Sequence, residues 1–155
     1  MEITHNSSVA LTLILDVFEK SIRTLCVNEY TNEQIEAWVN SRFDIQKWEQ
    51  KRQQQQFWFA WEQDELIGFC SLEACQNLDL LYVKPAFKKQ KVASNLLQSV
   101  LEYAQLNQVK FIRTEASLTA VPFFEKFGFI KQENNSFLYN GIWMENVSMQ
   151  LELNC

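Results

Sequence analysis

Through the first third of the chain, apolar residues recur at helical spacing. Between Val9 and about Leu25 they fall at Leu11, Ile14, Phe18, Ile22 and Leu25, one stripe of an amphipathic helix. Ser7 or Ser8 stands where a cap is expected. Thr31-Asn32-Glu33-Gln34 forms a capping box, and Ile35, Trp38 and Val39 give a second helix its apolar face. A third, short helix is predicted from Asp44 toward Gln53, with Ile45 and Trp48 turned inward.

The period then changes. Phe57 to Trp61 is continuously apolar, as a buried strand is, and Gln63-Asp64-Glu65 makes a turn into a second strand over Leu66–Leu72. A third strand, Leu78–Val83, ends at Lys84-Pro85, since proline cannot donate to a ladder. From about Lys91 the broad apolar face Val92, Ala93, Leu96, Leu97, Val100, Leu101 and Ala104 predicts a helix, and Lys110–Ala116 the next strand. Strand, helix and strand here have the length of one βαβ unit, so the two strands should run parallel. Ser117 or Thr119 can cap a short helix carrying Val121, Phe123, Phe124 and Phe127, with Gly128 suited to its C′ position. Phe129-Ile130 starts a strand, and Asn140-Gly141 joins Leu138-Tyr139 to a final strand through Leu151 in a hairpin. The expectation is a mixed α/β (α+β) domain around one central sheet.

The length of 155 residues fits a single domain, 1–155. One histidine, His5, in an N-terminus expected to be mobile, leaves no multi-histidine metal site and no Ser-His or Cys-His pair. Three scattered glycines exclude the glycine-rich dinucleotide and Walker-type loops. The net charge of −5 disfavours nucleic acid as partner. Four cysteines without a C-x-x-C spacing fit reduced thiols in the cytoplasm. No leader-like start or membrane-length apolar run is evident.

The most informative stretch runs from Leu81 to Leu97: a strand end, a basic loop and a helix start, with Lys88, Lys89 and Lys91 crowded where the helix opens. Free amides at a helix N-terminus attract anions. Lysines there oppose the helix dipole at a cost of about 0.3–1 kcal/mol each, a cost a bound polyanion would offset. A solvated basic loop is the other reading of the same residues.

Tyr82-Val83-Lys84-Pro85 through Leu96-Leu97 resembles the coenzyme A loop, [Q/R]-x-x-G-x-[G/A], of the GNAT N-acetyltransferase superfamily, with Lys88, Lys91 and Ala93 on the motif positions. Glu115 to Phe129 resembles that family's strand followed by A-x-x-F-Y-x-x-x-G-F. The resemblance covers most of the chain. It implies a GNAT-like, mostly antiparallel sheet with one parallel pair, flanked by helices. It also implies direct acetyl transfer from acetyl-CoA to an amine of a small molecule or protein, with no metal.

Under that resemblance the cofactor would touch Leu81, Tyr82, Val83, Lys88, Lys89, Gln90, Lys91, Val92, Ala93, Ser94, Ser117 and Phe124. An amide near Leu81 would polarise the thioester. Asp79 or Glu73 would serve as base, and Asp79, alternating with Leu81 and Val83, is expected on their face. The acceptor would enter between the N-terminal helices and the last hairpin. Two positions depart from the pattern: Lys91 replaces the loop glycine, and can still present its N–H if its φ remains helical, while Phe124 replaces the usual acidic tyrosine. Tyr139 and Tyr82 are substitutes by residue type. Those departures motivate the alternative of a non-catalytic CoA-binding sensor or interaction module. The C-terminal strand could pair in a homodimer.

Overall fold

The computed structural model describes residues 1–88 and 90–153; the expected cofactor contact Lys89 lies outside the described residues. In chain order the elements are β1 (Glu2–His5), α1 (Leu11–Leu25), α2 (Asn32–Val39), α3 (Ile45–Gln54), β2 (Gln56–Glu62), β3 (Glu65–Glu73), β4 (Asn77–Val83), α4 (Val92–Leu106), β5 (Phe111–Ser117), α5 (Val121–Lys126), β6 (Ile130–Tyr139) and β7 (Ile142–Glu152). Short 3-10 turns at Asn40–Phe43 and Pro85–Phe87 link α2 to α3 and β4 to α4.

The strands form one sheet in the order β1-β2-β3-β4-β5-β7-β6, antiparallel everywhere except between β4 and β5. This is the mixed, mostly antiparallel sheet with one parallel pair that the resemblance implies. Helices cover both faces. On one face α4 and α5 pack with Trp58, Ala60, Ile67, Leu78 and Ile112. On the other, α1, α2 and α3 close over Phe57, Phe59, Phe69 and Leu80. The unbroken apolar run of β2 follows from this: Phe57 and Phe59 fill one core while Trp58 and Ala60 fill the other.

Local signals explain most boundaries. Thr31 Oγ1 accepts from Gln34 N and Gln34 Oε1 accepts from Thr31 N, the capping box in full. Asn140 and Gly141 both have positive φ, 49° and 82°, as the tight β6–β7 turn requires. Gly128, at φ 99°, stops α5.

Four expectations change. The N-terminus is a strand: β1 pairs with β2, and the His5 ring stacks on Trp58 at 4.4 Å and 4°. Four residues are too few to show a period. No serine caps α1, whose N-cap is Ala10, because Ser7 Oγ is bonded to Thr4 Oγ1 instead. Ile45 is exposed, and Trp48 alone carries the buried face of α3. At the other end of the chain, Ser117 caps the turn into α5 by accepting from Ala120 N rather than serving as its N-cap.

Gly68 sets the spacing between sheet and helix. A Cβ on it would lie 3.0 Å from Val92 Cγ1, 3.1 Å from the Tyr82 carbonyl oxygen and 3.3 Å from Leu96 Cδ1. The first turn of α4 therefore sits directly on β3. Gly68→Ala should lower stability by about 1–3 kcal/mol by overpacking, read as a lower melting temperature; an unchanged melting temperature would show that this contact has slack.

Candidate functional site

β4 and β5 are held side by side at two residue pairs only, Asn77 with Arg113 and Leu78 with Thr114. The buried Thr114 hydroxyl donates to the Leu78 carbonyl at 2.9 Å and finishes the contact. Beyond it the strands part, while β5 stays paired to β7 as far as Ser117. The amide of Lys84 donates to Ile67 on the β3 side. Alternation along an antiparallel strand then turns Tyr82 and Leu80 amides toward β3, and Leu81 and Val83 amides toward the gap.

A bulge lies at the same place. Leu72 pairs with Leu78 and Ser71 with Leu80, so Asp79 is the extra residue on β4. One extra residue reverses the alternation. Leu78, Leu81 and Val83 face the α4 core, whereas Leu80 and Tyr82 face the α1 core. Asp79 lines a cavity with Leu80 and Tyr82. The expectation that Asp79 shares the face of Leu81 and Val83 is thereby corrected.

At the open end of the gap, α4 begins. Lys91, its N-cap, has φ 61° and ψ 24°, in the left-handed region. The condition of a helical φ at Lys91 is therefore not met. The position needs the conformation glycine adopts freely, and a side chain there costs about 1–2 kcal/mol. No side chain caps the helix, and Lys91 O accepts from Asn95 N at 3.0 Å. Among the described residues, the amides of Val92, Ala93 and Ser94 meet no backbone acceptor. Lys88, Gln90 and Lys91 are exposed around them. Lys84 is tied down by Glu65 at 3.1 Å and Asp16 at 3.6 Å; among the described residues, Lys88 and Lys91 form no ion pair.

The cavity, about 500 Å³, opens between α1–α3, the parted strands and the β6–β7 hairpin. Asp79 Oδ2 accepts from Lys51 Nζ and, at 2.9 Å, from Gln55 Nε2. Glu115 accepts from Ser148 Oγ at 2.7 Å and Asn135 Nδ2 at 2.9 Å. The buried Tyr30 hydroxyl donates to the Glu145 carbonyl at 2.7 Å and accepts from Leu118 N at 2.9 Å, which pins β7 to the end of β5. Burial raises the Tyr30 pKa to about 12 and pushes Tyr82 up as well.

Comparison with known proteins identifies the family and the fold. The family model described as an acetyltransferase (GNAT) domain matches residues 26–153. The chain belongs to the GNAT acetyltransferase family. It is 28% identical over 134 residues to the uncharacterized N-acetyltransferase YafP of Escherichia coli (strain K12), covering 86% of this chain and 84% of that one. The structure of a GCN5-related N-acetyltransferase from Rhodopseudomonas palustris superposes with a TM-score of 0.94 at 27% identity, over 98% of this chain and 95% of that one. PaiA N-acetyltransferase from Thermoplasma acidophilum, solved in complex with coenzyme A, shares the fold at a TM-score of 0.80 and 20% identity, over 99% and 100%.

The GNAT assignment makes the chain an N-acetyltransferase, and its expected site residues fall in three places. Leu81 and Val83 border the gap, while Lys88, Gln90, Lys91, Val92, Ala93 and Ser94 surround the α4 start. Asp79, Tyr82, Ser117 and Tyr139 line the cavity. Glu73 ends β3 at an exposed turn outside it, and Phe124 is buried in the core against Phe123 and Phe129. Sequence reading missed Tyr30 and Lys51, since only the folded chain brings α1–α3 to β4. It left Trp38 and Trp48 to the core, yet both border the cavity, and Trp48 does both.

Two substitutions test these details. Lys91→Gly should raise the melting temperature and Lys91→Val lower it, because a β-branched residue tolerates the left-handed region least; the reverse order would remove the strain. Tyr30→Phe should cost about 1–3 kcal/mol at neutral pH by orphaning Leu118 N and the Glu145 carbonyl. The raised folded-state pKa of Tyr30 means its stabilisation is intact below pH 10 and lost as pH climbs toward about 12. Denaturant titrations at several pH values should show the gap between wild type and Tyr30→Phe narrowing over that window.

Proposed function

We propose that this enzyme takes acetyl-CoA as co-substrate and passes the acetyl group directly to a primary amine in a ternary complex. The observation that carries this is the gap between β4 and β5, which leads from the α4 N-terminus, whose first amides meet no backbone acceptor among the described residues, to the cavity. The pyrophosphate would sit on the amides between residues 89 and 94, with Lys88, Lys89 and Lys91 supplying charge. The pantetheine would run along the freed edge of Leu81–Val83 toward Ser117. An inward-turned amide of Leu81 would hold the thioester oxygen as it becomes an oxyanion.

The amine must be neutral to attack. Its nitrogen forms the bond to the acetyl carbon as the carbon–sulfur bond breaks; one proton leaves nitrogen for a base and the thiolate gains one. Asp79, held by Lys51 and Gln55 at the cavity wall, suits the base better than Glu73, which stands outside. Tyr139 lines the cavity and carries a donor for the leaving thiolate, a role Phe124 lacks the hydroxyl to fill. The free thiols of Cys26, Cys70 and Cys75 support a reducing, cytoplasmic setting. The net charge of −5 supports neither nucleic-acid binding nor attachment to an acidic membrane surface. The C-terminal strand β7 is paired on both sides, by β5 and β6, so the expectation that it pairs in a homodimer is corrected; the outer edge of β6 is the edge that supports pairing with a second copy.

Free thiol release from acetyl-CoA across a panel of amines tests the activity. Replacing Lys88, Lys89 and Lys91 by Glu should weaken CoA binding at least about tenfold while leaving the circular dichroism spectrum unchanged. Unaltered affinity, measured by calorimetry, would move the cofactor away from this loop.

A further inference from the structure

The cavity is lined by carboxylates and by aromatic rings, and the combination bears on the acceptor. This inference rests on the acetyl-transfer reading above. The strands contribute Asp79 on β4, Glu115 on β5 and Glu145 on β7, and the segment from α2 to α3 adds Asp44, Lys47 and Lys51. Rings share the lining, Phe18, Trp38 and Trp48 from α1, α2 and α3 and Phe137 and Tyr139 from β6. Tyr82 adds a ring beside Asp79 and packs edge-on to Phe18 at 5.0 Å.

Charge in the cavity is not balanced. Four carboxylates line the cavity, Asp44, Asp79, Glu115 and Glu145, against two ammonium groups, Lys47 and Lys51. Lys51 is committed to Asp79. Glu115 is held only by the neutral donors Asn135 and Ser148, so its charge stands unneutralised among the described residues. An incoming ammonium is attracted there, and a carboxylate on the acceptor would be repelled. The nitrogen must also reach the parted strands, where the Leu81 amide is. The rest of the acceptor then lies among the rings, in a space of about 500 Å³ where a flat apolar body meets more ring surface than a thin aliphatic stem does. A second ammonium placed among those rings would lose its water for less return than at a carboxylate.

We propose that the acceptor is a small, singly charged primary amine with an aromatic body, an aryl-alkylamine, its nitrogen toward Asp79 and Glu115 and its ring between Trp38 and Phe137.

The test is thiol release from acetyl-CoA by the full chain with tryptamine and phenethylamine, set against spermidine, phenylalanine and a lysine-containing peptide. The aryl-alkylamines should exceed each of the others in kcat/KM by about tenfold or more, the scale of one buried aromatic contact together with one charge. Trp38→Ala and Phe137→Ala should each raise KM for tryptamine more than for spermidine. The second variant guards against misfolding of the first, because Phe137 is 37% exposed. A preference for spermidine, phenylalanine or the peptide overturns the proposal, as does an aromatic preference that both variants leave intact. If no amine releases thiol, the transfer reading fails, and binding decides this one. Tryptamine raising the melting temperature of the CoA-loaded protein where spermidine does not upholds it, and the opposite result overturns it.

Discussion

The site depends on how two parallel strands separate. β4 and β5 are joined at two residue pairs and a threonine hydroxyl, after which each keeps its other neighbour: β4 stays on β3 and β5 on β7. Buried amides without acceptors are costly, so a sheet would not ordinarily open at its centre. Here the opening is stable because α4, seated on Gly68, and the helices of the other face close over both strands from either side. The amides of Leu81 and Val83 are left for a ligand with its own carbonyls and amides, which pantetheine has.

The bulge at Asp79 makes the opening chemically useful. Without the extra residue, Asp79 would share the apolar α4 face with Leu81 and Val83, where an ionised carboxylate has no place. With it, the carboxylate turns to the cavity, Lys51 and Gln55 satisfy it, and the Leu81 amide is two residues away on the other side of the strand. On the proposed reading, one inserted residue thus separates the amides that would hold the acyl donor from the carboxylate that would meet the acceptor, while keeping them adjacent along the chain.

How much of this was legible in the sequence follows from the range of each signal. α2 and the β6–β7 turn rest on contacts within four residues, and the capping box at Thr31 and the Asn140-Gly141 pair marked them. The 3.6 period marked α1 and α4. The parallel β4–β5 pair followed from the length of the crossover. The bulge escaped because a shift of one residue in pairing leaves no mark on the strand that carries it. The strand at Glu2–His5 escaped because its partner, β2, lies more than fifty residues away. The insertion of β7 between β5 and β6 was likewise unreadable, since a hairpin signal states that two strands pair and not which of them joins the sheet. The cavity needs Tyr30, Trp38 and Lys51 to meet Asp79 and Tyr139, and nothing local states that meeting.

Lys91 shows why local and functional demands must be weighed together. The chain turns from β4 into α4 through a left-handed residue, and glycine would adopt that φ without strain. A lysine bears both the backbone cost and an unfavourable charge at the positive end of a helix dipole. Against a diphosphate the second term changes sign: the same ammonium, beside amides already aimed outward, becomes attractive, and in a chain of net charge −5 it is one of the few cations that concentrate anions at this corner. The cavity has the opposite balance, four carboxylates to two ammonium groups. The two sides of the opening therefore differ in charge. On the proposed reading, a polyanionic donor and a cationic acceptor would each be drawn to its own side and would meet at the parted strands.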